Sequence, residues 1–241
     1  MTYAYDYRNH RYQTNTVVSG TTVMNDIYIY DGDQILTDVR TKLTLNAQQQ
    51  VTNTTLQFGR LYLYGPAPDQ LLAQELISLS ASSGVPSQVI WTATDHQQTV
   101  RDLVTTSGQV LTTVVGGAVT AAHLTYDSFG VPSPTTVAIS TLLNERFLYT
   151  SREYDPVTGL QYNWNRWYDP RAKRWISEDP IGLSAGPNTS MYVANSPATY
   201  RDTTGLWPTD EQLSGERELR DQRRFGNSRQ PDAILVPDAN G

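Results

Sequence analysis

Ala122-His123-Leu124-Thr125-Tyr126-Asp127-Ser128-Phe129-Gly130 alternates apolar and polar residues, reaches a tyrosine and then breaks into a turn. Alternation with period two is the signature of a strand whose two faces see different surroundings. An aspartate directly after such a strand starts a turn by accepting hydrogen bonds from its own downstream backbone. The tyrosine suits the position, because its ring can be buried while its hydroxyl stays in contact with polar groups. The same order, strand then Tyr-Asp then turn, recurs at Tyr5-Asp6, Tyr30-Asp31, Tyr154-Asp155 and Tyr168-Asp169, with Tyr64-Gly65 as a degenerate copy. A single hairpin of this size cannot bury its apolar face, so copies must stack on one another.

Working outward, Asp26-Ile27-Tyr28-Ile29-Tyr30-Asp31-Gly32-Asp33-Gln34-Ile35-Leu36 reads as strand, turn, strand, with Asp31-Gly32 where a tight hairpin needs positive φ. Gly59 to Tyr64, Gln88 to Thr94 and Gln109 to Val115 are further strands rich in β-branched and aromatic residues. Asp69 to Leu76 is compatible with either a helix or a strand, and helical periodicity is scarce before residue 205. The 15 tyrosines and 5 tryptophans against 4 phenylalanines fit the same picture, since these residues bury area while keeping a polar tip. The expected fold class is all-β: antiparallel hairpin repeats followed by a short helical C-terminal tail.

Bulk properties exclude several functions. With 24 acidic and 18 basic residues the chain has no basic stripe, which argues against nucleic acid as a partner and against docking on anionic lipid. The absence of cysteine removes disulfides, thiolate metal sites and a cysteine nucleophile. No apolar run of about 18 residues is present to span a bilayer. The N-terminus carries no basic-then-apolar signal pattern.

Three groups of residues point to a family. Tyr126-Asp127-Ser128-Phe129-Gly130 resembles the YD repeat, and Asp95-His96 followed by Arg101 resembles the D-H-x-x-x-x-R element that precedes the RHS core. Arg146-Phe147-Leu148-Tyr149-Thr150-Ser151-Arg152-Glu153-Tyr154-Asp155-Pro156-Val157-Thr158-Gly159-Leu160 is similar to the core's opening signature. It is followed in order by Asn165-Arg166-Trp167-Tyr168-Asp169-Pro170, Arg174-Trp175-Ile176-Ser177-Glu178-Asp179-Pro180-Ile181-Gly182-Leu183, Tyr192-Val193-Ala194-Asn195-Ser196-Pro197 and Asp202-Thr203-Thr204-Gly205-Leu206. The chain thus resembles the C-terminal end of an RHS/YD-repeat protein. The match is dense over 146–206 and looser over 1–145, which gives three expected regions: a YD-repeat-like shell segment at 1–145, an RHS-associated core at 146–206 and a variable tail at 207–241.

The resemblance implies a β-strip that winds into a hollow shell, with the core closing one end as a plug. It also implies chemistry. In self-cleaving relatives the two Asp-x-x-Gly-Leu elements supply a pair of aspartates, here Asp179 and Asp202, supported by an arginine, here Arg166. The implied cut falls between Leu206 and Trp207. Two neighbouring carboxylates cannot both ionise cheaply, so one keeps a proton and polarises a carbonyl while the other activates water. Such chemistry needs no cofactor and no metal. One departure is Thr203, which stands where the second element usually has proline and leaves φ unrestrained.

Other candidates read as structural. His10, His96 and His123 are scattered, without the convergence a metal site needs. Asp26, Asp31 and Asp33 lack the ligand series of a calcium loop. Trp164, Trp167 and Trp175 are expected to pack as strand residues on one face rather than to bind sugar. In the tail, Thr209-Asp210-Glu211-Gln212 offers a helix N-cap, so a helix is expected from about 209 to 225. The 35 residues after Leu206 hold no recognisable catalytic cluster.

The expected function is therefore a structural, encapsulating shell end that cuts itself after Leu206, at most once per chain. The alternatives are a non-catalytic surface or secreted adhesion module and, more weakly, a carbohydrate-binding protein. The expected partner is an upstream RHS/YD-repeat segment or another copy joined through sheet edges. A secreted or cell-surface location follows from the resemblance alone.

Overall fold

The computed structural model describes residues 1–67, 69–78 and 88–206. Eight strands form an antiparallel meander in strict sequence order: β1 (Thr2–Tyr5), β2 (Arg11–Ser19), β3 (Thr22–Asp31), β4 (Gln34–Leu45), β5 (Val51–Tyr64), β6 (Leu71–Ser78), β7 (Gln88–Thr94) and β8 (Val100–Thr105). A small hairpin follows, β9 (Thr112–Val115) with β10 (Ala118–Ala121), and then one helix, α1 (Pro134–Leu143). A second meander of four short strands comes last: β11 (Glu153–Asp155), β12 (Leu160–Asn163), β13 (Arg166–Asp169) and β14 (Arg174–Trp175). The described residues are predominantly antiparallel β, the expected fold class. The tail helix expected at 209–225 lies outside the described residues.

The repeating unit is a turn with one hydrogen-bond pattern. At Asp6, Asn46, Asp95 and Asp127 the backbone N–H donates to the carbonyl four residues on, at 2.9–3.0 Å. The first residue's own carbonyl accepts from the N–H three residues on, at 2.9–3.1 Å. The side-chain Oδ1 completes the turn by accepting the N–H groups two and four residues on, at 2.8–3.0 Å. The fourth residue of each turn is left-handed: Asn9 (φ 64°), Gln49 (φ 60°), Gln98 (φ 64°) and Gly130 (φ 89°). Thr105 builds the same reversal with its hydroxyl, accepting from the Gln109 N–H at 3.3 Å.

Two expectations about the Tyr-Asp pairs need correction. Asp31 does not begin a turn of this kind: it pairs with Gln34 across a two-residue loop of Gly32 and Asp33, so the positive φ falls on Gly32 at the first loop position. Tyr5 keeps 41 % of its surface exposed, so its ring is not packed away. Asn46 and Thr105 have no tyrosine before them, which shows that the acceptor side chain makes the turn and the tyrosine is incidental to it.

The helix α1 was not expected. Ser133 caps it, accepting the Thr136 N–H at 3.1 Å, and Pro134 occupies its first turn, where a missing N–H costs nothing. Asn144 ends it in a left-handed conformation with φ 52°. Arg60 of β5 donates to the carbonyls of Leu143, at 2.9 Å, and Asn144, fastening the helix end to the sheet. The ambiguous segment Asp69 to Leu76 resolves as strand from Leu71 onward, within β6, with Asp69 in the turn before it.

Residues 145–153 run across the large sheet, and nearly all of them are buried. Phe147 joins Tyr28, Ile35, Tyr62 and Leu71; Leu148 joins Ile90, Val100, Leu103, Ala122, Leu124 and Ile139; Tyr149 joins Tyr168, Trp175, Tyr192 and Val193. Three consecutive side chains thus enter three different clusters. The charges on either side are paired with the sheet. Arg146 meets Asp38 of β4 at 2.6 Å, Arg152 meets Asp69 at 2.5 Å, and Glu153 accepts from Arg11 of β2.

The three tryptophans do not share a face. Tyr168 pairs with Trp175 across β13 and β14, so Trp167 lies on the opposite side of that sheet, where it meets Tyr3 at a centroid distance of 5.4 Å. Trp164 sits in the β12–β13 turn with φ 49° under the Arg152 guanidinium at 4.1 Å.

Two substitutions separate turn from core. Asp127→Ala removes two accepted N–H bonds at an exposed turn and is expected to cost about 1–2 kcal/mol. Phe147→Ala empties a packed aromatic site and is expected to cost about 3–5 kcal/mol. Urea unfolding midpoints measured on both variants check the order; equal losses would mean that the buried segment carries no more stability than a turn.

Candidate active site around Arg166

The second meander exists to present one arginine. The β12–β13 hairpin turns at Trp164 and Asn165, and β13 begins at Arg166, which is only 2 % exposed. Its guanidinium lies 4.1 Å over the ring of Trp175, which is itself fully buried. Such stacking holds the planar group while leaving its N–H edges free for acceptors.

Those edges gather both predicted aspartates. Arg166 Nη2 is 2.5 Å from Asp179 Oδ2 and 3.4 Å from Asp202 Oδ2. Nη1 donates to the Thr189 carbonyl at 3.0 Å, and Nε donates to the Gly205 carbonyl at 2.5 Å. Asp179, Asp202 and Arg166, separated by up to 36 residues, therefore meet at one point. The two carboxylates do not meet Arg166 at different nitrogens: Nη2 is the contact atom for each. Nor does Arg166 grip one carboxylate with two nitrogens; a single nitrogen serves both.

Local turns aim the carboxylates. Asp179 Oδ1 accepts the Ile181 N–H at 3.0 Å, and the Asp179 N–H donates to the Thr189 carbonyl at 3.1 Å. Asp202 Oδ1 accepts the N–H groups of Gly205 at 2.8 Å and Leu206 at 3.2 Å. Each aspartate thus uses Oδ1 for its own turn and turns Oδ2 toward Arg166.

Burial dominates the electrostatics. Asp202 has no exposed surface, and this desolvation pushes its carboxyl up to about 6 against the opposing pull of Arg166 and the two amides. The same burial lowers the Arg166 guanidinium from its ordinary value, with Asp179 and Asp202 working the other way.

Leu206 is the last described residue, so Trp207 and the bond between them lie outside the described residues. Asn163 and Asn165 were missed as site residues. Asn163, fully buried, donates through Nδ2 to the Asp202 carbonyl at 2.6 Å, and Asn165 donates to the Thr204 carbonyl from its backbone at 3.2 Å and its side chain at 3.0 Å. The available signal was a pair of amides flanking a turn directly before the arginine.

The histidines go elsewhere. His10 stacks on Tyr30 and contacts Asp33 at 3.1 Å, His123 contacts Asp102 at 2.7 Å, and His96 faces the Ala198 carbonyl at 3.4 Å. Asp26 pairs with Arg40 at 2.6 Å.

No family profile matches the chain. Among curated proteins, the toxin protein Tse5 of Pseudomonas aeruginosa is 43 % identical over 58 residues, which is 24 % of this chain and 4 % of that protein. The double-stranded DNA deaminase toxin A of Burkholderia cenocepacia is 37 % identical over 82 residues, 34 % of this chain and 6 % of that protein. The toxin subunit YenC2 of Yersinia entomophaga is 42 % identical over 62 residues, 26 % of this chain and 6 % of that protein. The chain therefore spans a small part of the length of these relatives. Among solved structures, TcdB2-TccC3-TEV superposes with a TM-score of 0.62 at 20 % identity, over 85 % of this chain and 9 % of that one. TcdB2-TccC3 without its hypervariable C-terminal region gives 0.62 at 19 % identity, also over 85 % and 9 %. At these identities the likeness to the solved structures is one of fold. Taken together, the ordered core motifs, the curated relatives and the meander fold make this chain a homologue of the RHS-associated toxins, carrying an RHS-repeat core in a shell-type β structure.

Proposed function

We propose that the chain is the closing end of an RHS shell that cuts its own backbone between Leu206 and Trp207. The observation that carries this reading is the meeting of Asp179, Asp202 and Arg166 in a buried site beside the Gly205 carbonyl, one residue before the proposed cut. Burial has given Asp202 a carboxyl that is protonated in mildly acidic solution, which is the property a carbonyl-polarising acid needs.

In the proposed reaction a water oxygen attacks the Leu206 carbonyl carbon. Asp179 takes the water's proton, and Asp202 donates its own to the carbonyl oxygen. The tetrahedral centre then collapses: the proton held by Asp179 passes to the Trp207 nitrogen, the C–N bond breaks, and one hydroxyl of the centre returns its proton to Asp202. The products are a carboxyl on Leu206 and an amine on Trp207. Arg166 orients both acids and holds the adjoining carbonyl. The reacting peptide belongs to the same chain, so no association entropy opposes the step.

A second reading has its own observation. Asp202 Oδ1 is used by the Gly205 and Leu206 amides, and one Arg166 nitrogen contacts both carboxylates, an arrangement that also suits a purely structural ion cluster closing the shell. Under that reading the chain is a non-catalytic module of a larger repeat protein. The shell's remaining strands and the nature of any enclosed cargo belong to the longer protein in either case.

Intact mass separates the two. The wild-type chain is expected to yield a fragment starting at Trp207, whereas Asp179→Asn and Asp202→Asn stay full length. Arg166→Lys keeps the charge but loses the planar fork, and misplacement of this kind slows cleavage roughly 100-fold. A folded wild-type chain that stays intact through prolonged incubation would establish the structural reading.

The pH dependence follows from Asp202. Its raised carboxyl value makes the protonated form dominant below about 6 and scarce above it. Chain refolded rapidly from denaturant is therefore expected to cleave about a hundredfold more slowly at pH 8 than on the plateau below pH 6. A rate that rises with pH over that interval would exclude Asp202 as the acid.

A further inference from the structure

The segment that leads to the proposed cut is held by its backbone, and by one short stretch of the protein. Asn163 holds the Asp202 carbonyl, Asn165 holds the Thr204 carbonyl twice, and Arg166 holds the Gly205 carbonyl. These three residues of the β12–β13 turn thus grip three carbonyls within a run of four residues. The grip reads one side chain, by requiring that there be none. A Cβ on Gly205 would lie 2.5 Å from the Asn163 carbonyl oxygen and 3.0 Å from the Arg166 nitrogen, and Gly205 sits at φ +74°. The amides of the gripped segment are occupied as well, Gly205 and Leu206 both donating to Asp202 Oδ1 and Leu206 also to Thr204 Oγ1 at 3.2 Å.

Every one of these contacts lies on the N-terminal side of the Leu206–Trp207 bond. Breaking that bond removes none of them. We infer that the Asn163–Arg166 turn is a product clamp: it keeps Asp202 to Leu206 seated after cleavage, so that the new C-terminus blocks the site and only the segment from Trp207 onward is free to leave. This rests on the self-cleavage reading. It adds that the site is occupied for good by its own product. A processed chain then has no room for a second peptide, and the reaction is limited to one event per chain by binding as well as by connectivity. Asn163 and Asn165 are positioning residues in this account; they touch the segment and not the reacting carbonyl.

Two measurements test the clamp. In the first, wild-type chain that has already cut itself is mixed with a full-length Asp179→Asn chain and with a synthetic peptide covering residues 200–212. Neither is expected to be cut, and more than one cleavage per processed chain would overturn the inference. In the second, hydrogen exchange at Gly205 and Leu206 is followed in full chain carrying a site-specific protease sequence in place of residues 207–213, before and after that protease is added. Protection is expected to survive the cut and to fall about tenfold in Asn163→Ala/Asn165→Ala, because two net hydrogen bonds are lost. Exchange at the rate of an unprotected peptide after the cut would overturn the clamp. The second measurement does not depend on self-cleavage. A chain that never cuts itself but keeps these amides protected would discard the proposed function and leave the clamp as a backbone lock.

Discussion

Burial of residues 145–153 is the constraint on which the remaining structure depends. A strand meander has two faces and no interior of its own, so the large sheet needs something laid across it. Phe147, Leu148 and Tyr149 supply that cover by entering three clusters in succession, which ties the middle of the sheet, its β7–β8 end and the second meander to one short segment. The segment is not apolar, however. Glu145, Arg152 and Glu153 are also buried, and charges removed from water demand partners. The sheet provides them at Gln74, Asp69 and Arg11, and Arg146 finds Asp38. A register slip of one residue in β2 or β4 would move Arg11 or Asp38 to the other face and strand a buried charge, so the ion pairs specify the register that the alternating apolar pattern only favours.

The legible part of the fold was the part controlled by short-range chemistry. A side-chain oxygen that bonds the amides two and four residues on is visible as an Asp or Asn before a polar stretch, and it marks the ends of β1, β4 and β7. Reading the tyrosine as part of the signal hid three copies, at Asn46, Asp95 and Thr105, and attached a turn to Asp31 that the loop at Gly32-Asp33 takes instead. The helix α1 was obscured by Thr135, Thr136 and Val137, β-branched residues that favour strands. Its Ser133-Pro134 start was nonetheless a readable stop-and-cap signal. Placing the three tryptophans together failed for a different reason: period two puts Trp167 and Trp175 on one face only if they share a strand, and they lie on two.

For the site, the resemblance named the three residues that the fold brings together, but not how they stand. Motif order carries no information about which oxygen a turn consumes. Both aspartates spend Oδ1 on their own downstream amides, which leaves Oδ2 as the atom each can offer to Arg166. That division follows from Asp-x-x-Gly being a turn sequence as well as a site sequence, so the structural and chemical readings of these motifs are two uses of one carboxylate. Burial is what gives Asp202 a chemical use beyond the turn, because an exposed turn carboxylate would keep an ordinary affinity for its proton.

The site is also tied to the large sheet, and this gives a role to the Asp95-His96 element that the motif reading left without one. Asp95 shapes the β7–β8 turn and pairs with Arg101 at 2.8 Å. The buried Gln97 of that turn then reaches the chain on its way to Asp202: Gln97 Nε2 donates to the Pro197 carbonyl at 2.5 Å, and Arg201 donates back to the Gln97 carbonyl at 3.2 Å. The partners are about a hundred residues apart in sequence, so both bonds join the β7–β8 turn to the chain that leads into Asp202. Under the proposed function the cut needs Asp202 beside Arg166, and these two bonds connect that placement to the β7–β8 turn of the large sheet.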